Sequence, residues 1–444
     1  MEKEALNDNI NDINIAYSYI EELPKFTMKH PLNHTRDFLV SLNNPGLHRK
    51  FIHVAGTNGK GSVCVYTEAM LLAIGKSVGT FISPHLIDMR ERIRINAEMV
   101  PEEAFLNAFN KAKNAAVRFE GAGLGHPSYF EFLFAIAMSI FGESNVEYII
   151  LETGLGGRLD ATNIIDAPIM TIITSIGLDH MQYLGETIEE IAHEKAGILR
   201  AGTPLVMDGT IKRASEVIKK EAKEKGIDAD VVTHGDVKVI PGNINSIAFS
   251  RQMEYHQGEP WHLQNMGKYE IINAEIAIRA MTRLFSPYEK YRVAWKKALA
   301  NVMFPGRMQS LGERIIIDGA HNIPAINAFI TSFEYIYKSP KDSVIVFSAV
   351  YDKKADEMAR LLCERIDVKE YIVTQLSGPR GIKVNELAKM FRKYTNKKVT
   401  ETKDVNEAFD IAVKRRDEGA TVFILGSLYL AGEVLKIPIE KLSK

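Results

Sequence analysis

The sequence predicts an α/β fold in two domains, and three observations carry that reading. The chain is 444 residues long, beyond the roughly 250–300 residues at which a single hydrophobic core stops growing. Short aliphatic and β-branched runs alternate with longer helical patterns, the order expected of a parallel sheet with crossover helices. Several of those runs are apolar without alternation, residues 169–175 among them, as in strands covered on both faces.

Each element follows from its residues. Residues 51–55 form a buried strand run, followed by a Gly-rich turn and a helical stretch over 63–74 that Gly75 stops. Residues 77–83 read as the next strand. Pro101 opens a helix with Glu102 and Glu103 in its first turn, where they suit the helix dipole. Phe105, Ala108, Phe109 and Ala112 give that helix one apolar face. Residues 129–141 are apolar nearly all round, so that helix is expected to be buried. Residues 146–151, apolar but for Glu147, and 169–175 read as parallel strands. The stretch 204–261 is mixed in pattern. Helical patterns over 270–285 and 288–302 precede a fresh alternation with strands at 314–317, 343–348, 370–373, 398–400 and 421–425. The expected domains are therefore 1–298 and a smaller 303–444, with a ligand cleft between them.

Composition excludes several classes. Hydrophobic residues make up 46% and charged residues 25%, which rules out a disordered chain or a collagen. Lys+Arg number 55 against Asp+Glu 56, a net charge of -1, so nothing supports nucleic-acid coating or attraction to a membrane surface. Cys64 and Cys363 are the two cysteines, and they fit a reduced, cytoplasmic setting. The N-terminus is polar and acidic, unlike a secretory leader. No apolar run approaches the roughly 20 residues of a membrane helix.

The strongest motif is HVAGTNGKGSV at 53–63. A strand ends, a Gly-rich turn follows and a helix starts, so main-chain N–H groups can curl around an anion. Lys60 can reach outer phosphate oxygens, and the Ser62 hydroxyl can ligate Mg²⁺. Val54 stands where the strict nucleotide-loop pattern has its first Gly, and Gly61 is inserted before the hydroxyl residue. A GTPase reading fails because Asn110-Lys111 and Asn396-Lys397 both lack the Asp that would read the base. A dinucleotide reading of ETGLGGRLD at 152–160 fails at its third Gly, where Leu159 stands.

Three further residues converge on phosphate chemistry. Glu152 follows the strand 146–151, at the sheet edge where ligands of open parallel sheets bind, and reads as a Mg²⁺ ligand. His180 follows the strand 169–175 by a short loop; metal ligand and structural loop residue are both open readings. In GETIEEIAHEKAGI, Thr187 and Glu190 form a capping box and Gly197 supplies the stop. Lys195 falls on the apolar face with Ile188, Ile191 and Ala192. It either snorkels outward or stays buried as an amine of lowered pKa, able to take up CO₂ as a carbamate that ligates metal.

The motifs AGTNGKGSV, ISPHL (82–86), ERIRIN (91–96), ETGLGGRLDATN (152–163), GLDH (177–180), EKAGI (194–198), FPGRMQ (304–309) and DGAHN (318–322) form an ordered set. Together they resemble the folylpolyglutamate synthase/dihydrofolate synthase family, within the superfamily of ATP-dependent cell-wall amide ligases, the Mur ligases. The resemblance runs from Asn44-Pro45 to GSLYLAGEVL at 426–435. It implies a P-loop ATPase-like N-terminal domain and a Rossmann-like C-terminal glutamate-ligase domain.

It implies also that ATP activates a folate side-chain carboxylate as an acyl phosphate, which the amine of L-glutamate attacks. Thr57, Asn58, Gly59, Lys60, Gly61 and Ser62 would hold ATP, with Asn273, Arg307 and Asp318 as further nucleotide contacts. Ser62, Ser83, Glu152, His180 and carbamylated Lys195 would hold two Mg²⁺ ions; a monovalent cation is a further candidate. Lys60, Lys195 and His321 would be catalytic, with Phe130, His321 and Ser427 toward the substrates. For Ser427, a helix cap is an equal reading. Small molecules are then the partners of a monomer: a reduced folate or dihydropteroate, L-glutamate and ATP. A cell-wall amino-acid ligase is the alternative, disfavoured by the short stretch before the phosphate strand. A non-catalytic nucleotide switch would not need the DGAHN and Arg307 constellation.

The sequence also departs from the family. The usual Gly-x-His-Gln before Asn-Ala reads Gly267-Lys268-Tyr269-Glu270, and Asp-Lys-Asp reads Asp352-Lys353-Lys354. Thr-x-Phe-Glu reads Ser128-Tyr129-Phe130-Glu131.

Overall fold

The computed structural model describes residues 9–25, 30–240, 246–254, 259–337 and 340–438. They divide into two units. The first holds Met1–Ile176, His180–Thr233 and Ala274–Ala298; the second holds Gly177–Asp179, His234–Asn273 and Leu299–Lys444.

In the first unit, α1 (Ile13–Glu22) and α2 (Leu32–Ser41) precede β1 (Lys50–Ala55), which runs into α3 (Lys60–Ala73). Next come β2 (Val78–Phe81), β3 (Ile93–Ile95), β4 (Glu98–Met99), α4 (Glu102–Gly121), α5 (Tyr129–Glu143) and β5 (Tyr148–Glu152). The unit continues through β6 (Met170–Ile173), α6 (Met181–Leu184), α7 (Ile188–Ala196), β7 (Leu205–Asp208), α8 (Lys212–Glu224) and β8 (Ala229–Val232). The strands form one eight-stranded sheet, ordered β4-β3-β2-β5-β1-β6-β7-β8. From β2 to β8 the pairs are parallel; β3 and β4 add an antiparallel edge. Parallel neighbours share a direction, so the carboxyl ends of β2, β5, β1 and β6 lie along one edge.

The sequence patterns have physical counterparts. Every residue of α5 from Glu131 to Phe141 is buried, as its all-round apolarity requires, and the aromatic side chains of α4 and α5 fill the core under β2 and β5. Phe105, Ala108, Phe109 and Ala112 are all buried in the same core. The helix after β1 begins at Lys60, three residues before its apolar pattern starts, because Gly59 at φ 86 sets the turn there. Glu152 is the last residue of β5 rather than the residue after it, since its main chain still pairs opposite Val54. Gly197 does not use a left-handed conformation to end α7: its φ is -57. Its function is close approach, because a Cβ there would lie 2.4 Å from the Arg158 Cα.

In the second unit, β9 (Val237–Ile240), β10 (Ile247–Arg251) and β11 (Trp261–Leu263) form a three-stranded antiparallel sheet. The sequence reading set residues 234–273 in the first domain; they group with the second unit. The physical reason is local. Met266 is buried in the second core, and Asn265 Nδ2 donates to the carbonyls of Phe304 at 2.9 Å and Arg307 at 2.6 Å. The chain crosses between the units within α9 (Tyr269–Leu284) and α10 (Arg292–Asn301).

The rest alternates strand and helix: β12 (Gln309–Ser310), β13 (Ile315–Ile317), α11 (Ile323–Ile336), β14 (Ser343–Phe347), α12 (Ala355–Arg365), β15 (Glu370–Thr374) and α13 (Val384–Tyr394). It ends with β16 (Lys398–Thr402), α14 (Val405–Asp417), β17 (Thr421–Leu425) and α15 (Leu428–Leu435). The sheet is six-stranded, ordered β12-β13-β17-β14-β15-β16. All its pairs are parallel except β12 with β13.

Candidate active site

The first unit gathers its chemistry at the carboxyl edge of β2, β5, β1 and β6. The turn after β1 is pinned to β6: the Thr57 N–H donates to the Ser175 carbonyl at 2.7 Å, and the Thr174 hydroxyl donates to the Asn58 carbonyl at 2.8 Å. Gly56 packs so closely on Thr174 that a Cβ would meet its Oγ1 at 1.8 Å. Gly59 then turns the chain, and Lys60, Gly61 and Ser62 form the first turn of α3 with Ser62 buried. This is a strand, a tight glycine turn and a helix N-terminus, the arrangement that presents main-chain N–H groups to an anion.

Lys60 Nζ donates to the Thr57 carbonyl at 3.3 Å and stands 3.7 Å from Glu152 Oε1. Glu152 is 2% exposed, and its Oε2 accepts the Ser83 N–H at 2.8 Å. Lys60, Ser83 and Glu152, separated in sequence, therefore meet on adjacent strand ends. His180 sits at φ 51 immediately before α6, at the end of the segment leaving β6. Lys195 is 4% exposed, and its Nζ donates to the Gly56 carbonyl at 2.7 Å. Of the two readings open for this lysine, the buried one holds and the snorkelling one does not. Its amine lies on the main chain of the glycine turn after β1. Phe130 is half-buried at the start of α5, its ring 5.5 Å from that of Phe81. It also fills the space that a side chain on Gly154 would need.

One buried network was not legible in the motifs. The Thr162 hydroxyl donates to Asp160 Oδ1 at 2.6 Å, so its oxygen is left to accept from His53 Nε2 at 2.8 Å. Asp160 Oδ2 accepts the Leu155 N–H at 2.9 Å. This chain ties β1 to the glycine loop after β5. Burial holds the His53 ring neutral, its pKa lowered to about 3.

In the second unit, Asp318 at the end of β13 is buried and collects three donors. They are the Tyr269 hydroxyl at 2.5 Å, the Met308 N–H at 3.0 Å and the Ala320 N–H at 2.8 Å. Burial raises its pKa, and the tyrosine and Arg307 oppose the rise. Arg307 Nη1 donates to the Gly306 carbonyl at 3.1 Å, with the guanidinium over the Phe304 ring. His321 Nδ1 lies 2.8 Å from the Gly319 carbonyl. A carbonyl can only accept, so Nδ1 carries the hydrogen and Nε2 is the basic nitrogen. Burial, then the positive charge of Lys353, lowers this histidine to about 4. Asn322 caps α11 through the Ala325 N–H at 2.9 Å, and its amide donates to Asp179 at 2.8 Å. Lys353 Nζ binds the other Asp179 oxygen at 2.7 Å. Asn273 is buried and donates to Glu270 at 3.1 Å. Ser427 accepts the Tyr429 N–H at 3.1 Å, so it does cap α15.

Sequence reasoning assigned no role to Tyr269, Asp179 or Lys353. The signal was present, since all three lie inside the quoted segments, but their convergence on Asp318, His321 and Asn322 spans tens to hundreds of residues.

The comparisons agree with this anatomy. Residues 130–281 match the Mur ligase middle domain, and residues 306–428 match the Mur ligase, glutamate ligase domain. The chain is 32% identical to the dihydrofolate synthase/folylpolyglutamate synthase of Bacillus subtilis, over 95% of this chain and 98% of that one. It superimposes on E. coli FolC in complex with DHPP and ADP with a TM-score of 0.79 and 28% identity, covering 97% of this chain and 98% of that one. Against Mycobacterium tuberculosis folylpolyglutamate synthase complexed with ADP and AMPPCP the TM-score is 0.83 at 25% identity, covering 96% and 98%. A glycine turn at a helix N-terminus beside a buried carboxylate and amine, a glutamate-ligase domain match and similarity over 95% of the chain lead to one conclusion: the chain belongs to the folylpolyglutamate synthase/dihydrofolate synthase family.

Proposed function

We propose that the chain is an ATP-dependent ligase that joins L-glutamate to the γ-carboxylate of a reduced folate, and that dihydropteroate is a second acceptor. The observation that carries this is the first-unit cluster. Lys60, Glu152 and the Ser83 main chain meet beside a glycine turn that also receives the buried Lys195 amine.

In this reading the turn over Thr57, Asn58, Gly59, Lys60, Gly61 and Ser62 binds the ATP phosphates, and Lys60 offsets their charge. The donor set suits two Mg²⁺ ions: the hydroxyls of Ser62 and Ser83, the carboxylate of Glu152, His180, and Lys195 once its amine has taken up CO₂. Bound Mg²⁺ would supply positive charge where two anions must approach. Lys195 fits carbamylation because its amine is buried beside the glycine turn, donating to the Gly56 carbonyl. Asn273, Arg307 and Asp318 are further nucleotide contacts in this reading. Phosphoryl transfer to the acceptor carboxylate leaves ADP and an acyl phosphate. The glutamate amine attacks its carbonyl, and phosphate departs as the amide forms. His321 is neutral with Nε2 as its base, so it can accept the proton that the incoming ammonium must lose. Phe130 and Ser427 face the substrates in this reading. The enzyme works as a monomer in the cytoplasm, where Cys64 and Cys363 stay as the free thiols observed.

ADP release measured with tetrahydrofolate plus L-glutamate, with dihydropteroate plus L-glutamate, and without acceptor tests the proposal. Release is expected with each folate acceptor only when glutamate is present. Stimulation only by a UDP-muramoyl acceptor would overturn the reading in favour of a cell-wall ligase, and release indifferent to acceptors would favour a nucleotide switch.

A further inference from the structure

Away from the phosphate turn, the start of α2 meets the start of α5 at a cluster whose chemistry the ligase reaction does not use. His30 Nδ1 is 2.8 Å from Glu131 Oε2, and His34 Nδ1 is 3.0 Å from Glu131 Oε1. The two imidazole rings lie 3.8 Å apart, centroid to centroid, and turn the same nitrogen toward one carboxylate. One ligand atom from each residue falls within 4.8 Å of the other two. We propose that His30, His34 and Glu131 bind one divalent transition-metal ion of the zinc class, separate from the Mg²⁺ that accompanies the nucleotide.

The hydrogen-bond arithmetic around Glu131 favours a cation. Oε1 accepts from the Thr35 hydroxyl at 2.7 Å. Oε2 accepts from the Ser128 N–H at 2.9 Å and the Ser128 hydroxyl at 2.7 Å. If both histidines also donate, five hydrogens converge on a carboxylate that offers about four lone-pair directions. A shared cation replaces both imidazole N–H groups. It takes one lone pair from each ring and one from the carboxylate, and the hydroxyls of Thr35 and Ser128 with the Ser128 N–H fill the rest. Those groups then orient the ligating carboxylate, as ligands of this kind require. His34 is largely buried and its Nε2 has no hydrogen-bond partner among the described residues, so Nδ1 is the nitrogen aimed at the cluster. The side chain of His30 is 32% exposed, which leaves a path for an ion.

The donor types select the metal. Two imidazoles and one carboxylate suit Zn²⁺ or Co²⁺, with water in the fourth position; Mg²⁺ favours sites whose ligands are mainly oxygens, and two nitrogens in three ligands count against it. On such an ion, ligand atoms stand about 3.4 Å apart at bonds of about 2.1 Å, so modest side-chain shifts open the cluster to it. The ion would fasten α2 to α5.

The test uses the full chain titrated with Co²⁺ in a large excess of Mg²⁺, which occupies the nucleotide-side metal sites. Expected are one Co²⁺ per chain with the visible absorption of a four-coordinate ion, and a melting temperature raised by Zn²⁺. His30→Gln and His34→Gln should each weaken Co²⁺ binding at least about tenfold and abolish the Zn²⁺-dependent rise. Should His34→Gln misfold, the more exposed His30→Gln still decides. Absence of Mg²⁺-resistant binding in the wild type, or binding unchanged in His30→Gln, would show that the cluster is a hydrogen-bonded structural contact.

Discussion

Lys195 shows how much a single buried amine can concentrate. Its helix position puts it among Ile191 and Ala192 in the core, and its Nζ has reached the Gly56 carbonyl. Lys195→Ala removes that contact and the group proposed to become a carbamate. Ligation should fall to near the background rate while the far-UV circular dichroism stays that of the wild type. Wild-type turnover in this variant would refute the carbamate assignment. The periodicity of GETIEEIAHEKAGI was enough to place Lys195 on an apolar face. It could not identify Gly56 as the partner, because 139 residues separate the two. His53 carries a different prediction. Buried and neutral, it is lowered from its ordinary 6.5 to about 3. Below pH 6.5 the unfolded chain binds a proton that the folded one refuses, so stability is full above that pH and is lost progressively toward pH 3. One such group steepens the slope by about 1.4 kcal/mol per pH unit. Chemical denaturation between pH 6 and 4 should show a shallower slope in His53→Gln by about that amount; equal slopes would mean that another group controls acid unfolding.

At the scale of elements, sequence signals are decisive where they are local and silent where distant segments meet. The capping box of Thr187 and Glu190 forms as its spacing demands, and β17 (Thr421–Leu425) occupies the run of residues that predicted it. The antiparallel sheet of β9, β10 and β11 has no continuous apolar run to mark it, since Lys238, Ser250 and His262 interrupt its short strands, whereas equally short β13 is a run of three isoleucines. Gly197 was read as a helix stop from its position alone, whereas the contact that requires it belongs to Arg158. Gly197→Ala should therefore cost about 1–3 kcal/mol, the range for overpacking, although the same change in an open helix end would be mild. A melting temperature within a degree of the wild type would contradict the close approach. Ser427 separates two roles. As a cap, Ser427→Ala should cost about 0.5–2 kcal/mol and Ser427→Asp much less. If Ser427 also binds glutamate, both variants should raise the KM for glutamate, whatever their stability; an unchanged KM in both leaves the cap as its whole role.

Over the whole molecule, the formal charge of -1 limits how the proposed anionic substrates are captured. A chain with no net positive charge exerts little attraction beyond the Debye length, about 10 Å at 0.1 M salt. The charge that meets ATP and folate must be local, and Lys60, whose side chain is 14% exposed, is recessed in the turn that would use it. Carbamylation of Lys195 would move the balance further toward negative, since an ammonium is exchanged for an anion. Capture then depends on short-range geometry, for which mobile ions compete poorly, rather than on long-range steering, which they screen. The expected result is that kcat/KM for the folate acceptor changes less than about threefold between 50 and 200 mM KCl at fixed Mg²⁺. A protein that binds polyanions through many surface cations loses roughly a thousandfold in affinity over the same range. A comparably steep salt dependence would require a positively charged surface around the site that the overall composition does not suggest, and would move the source of substrate affinity away from the phosphate turn.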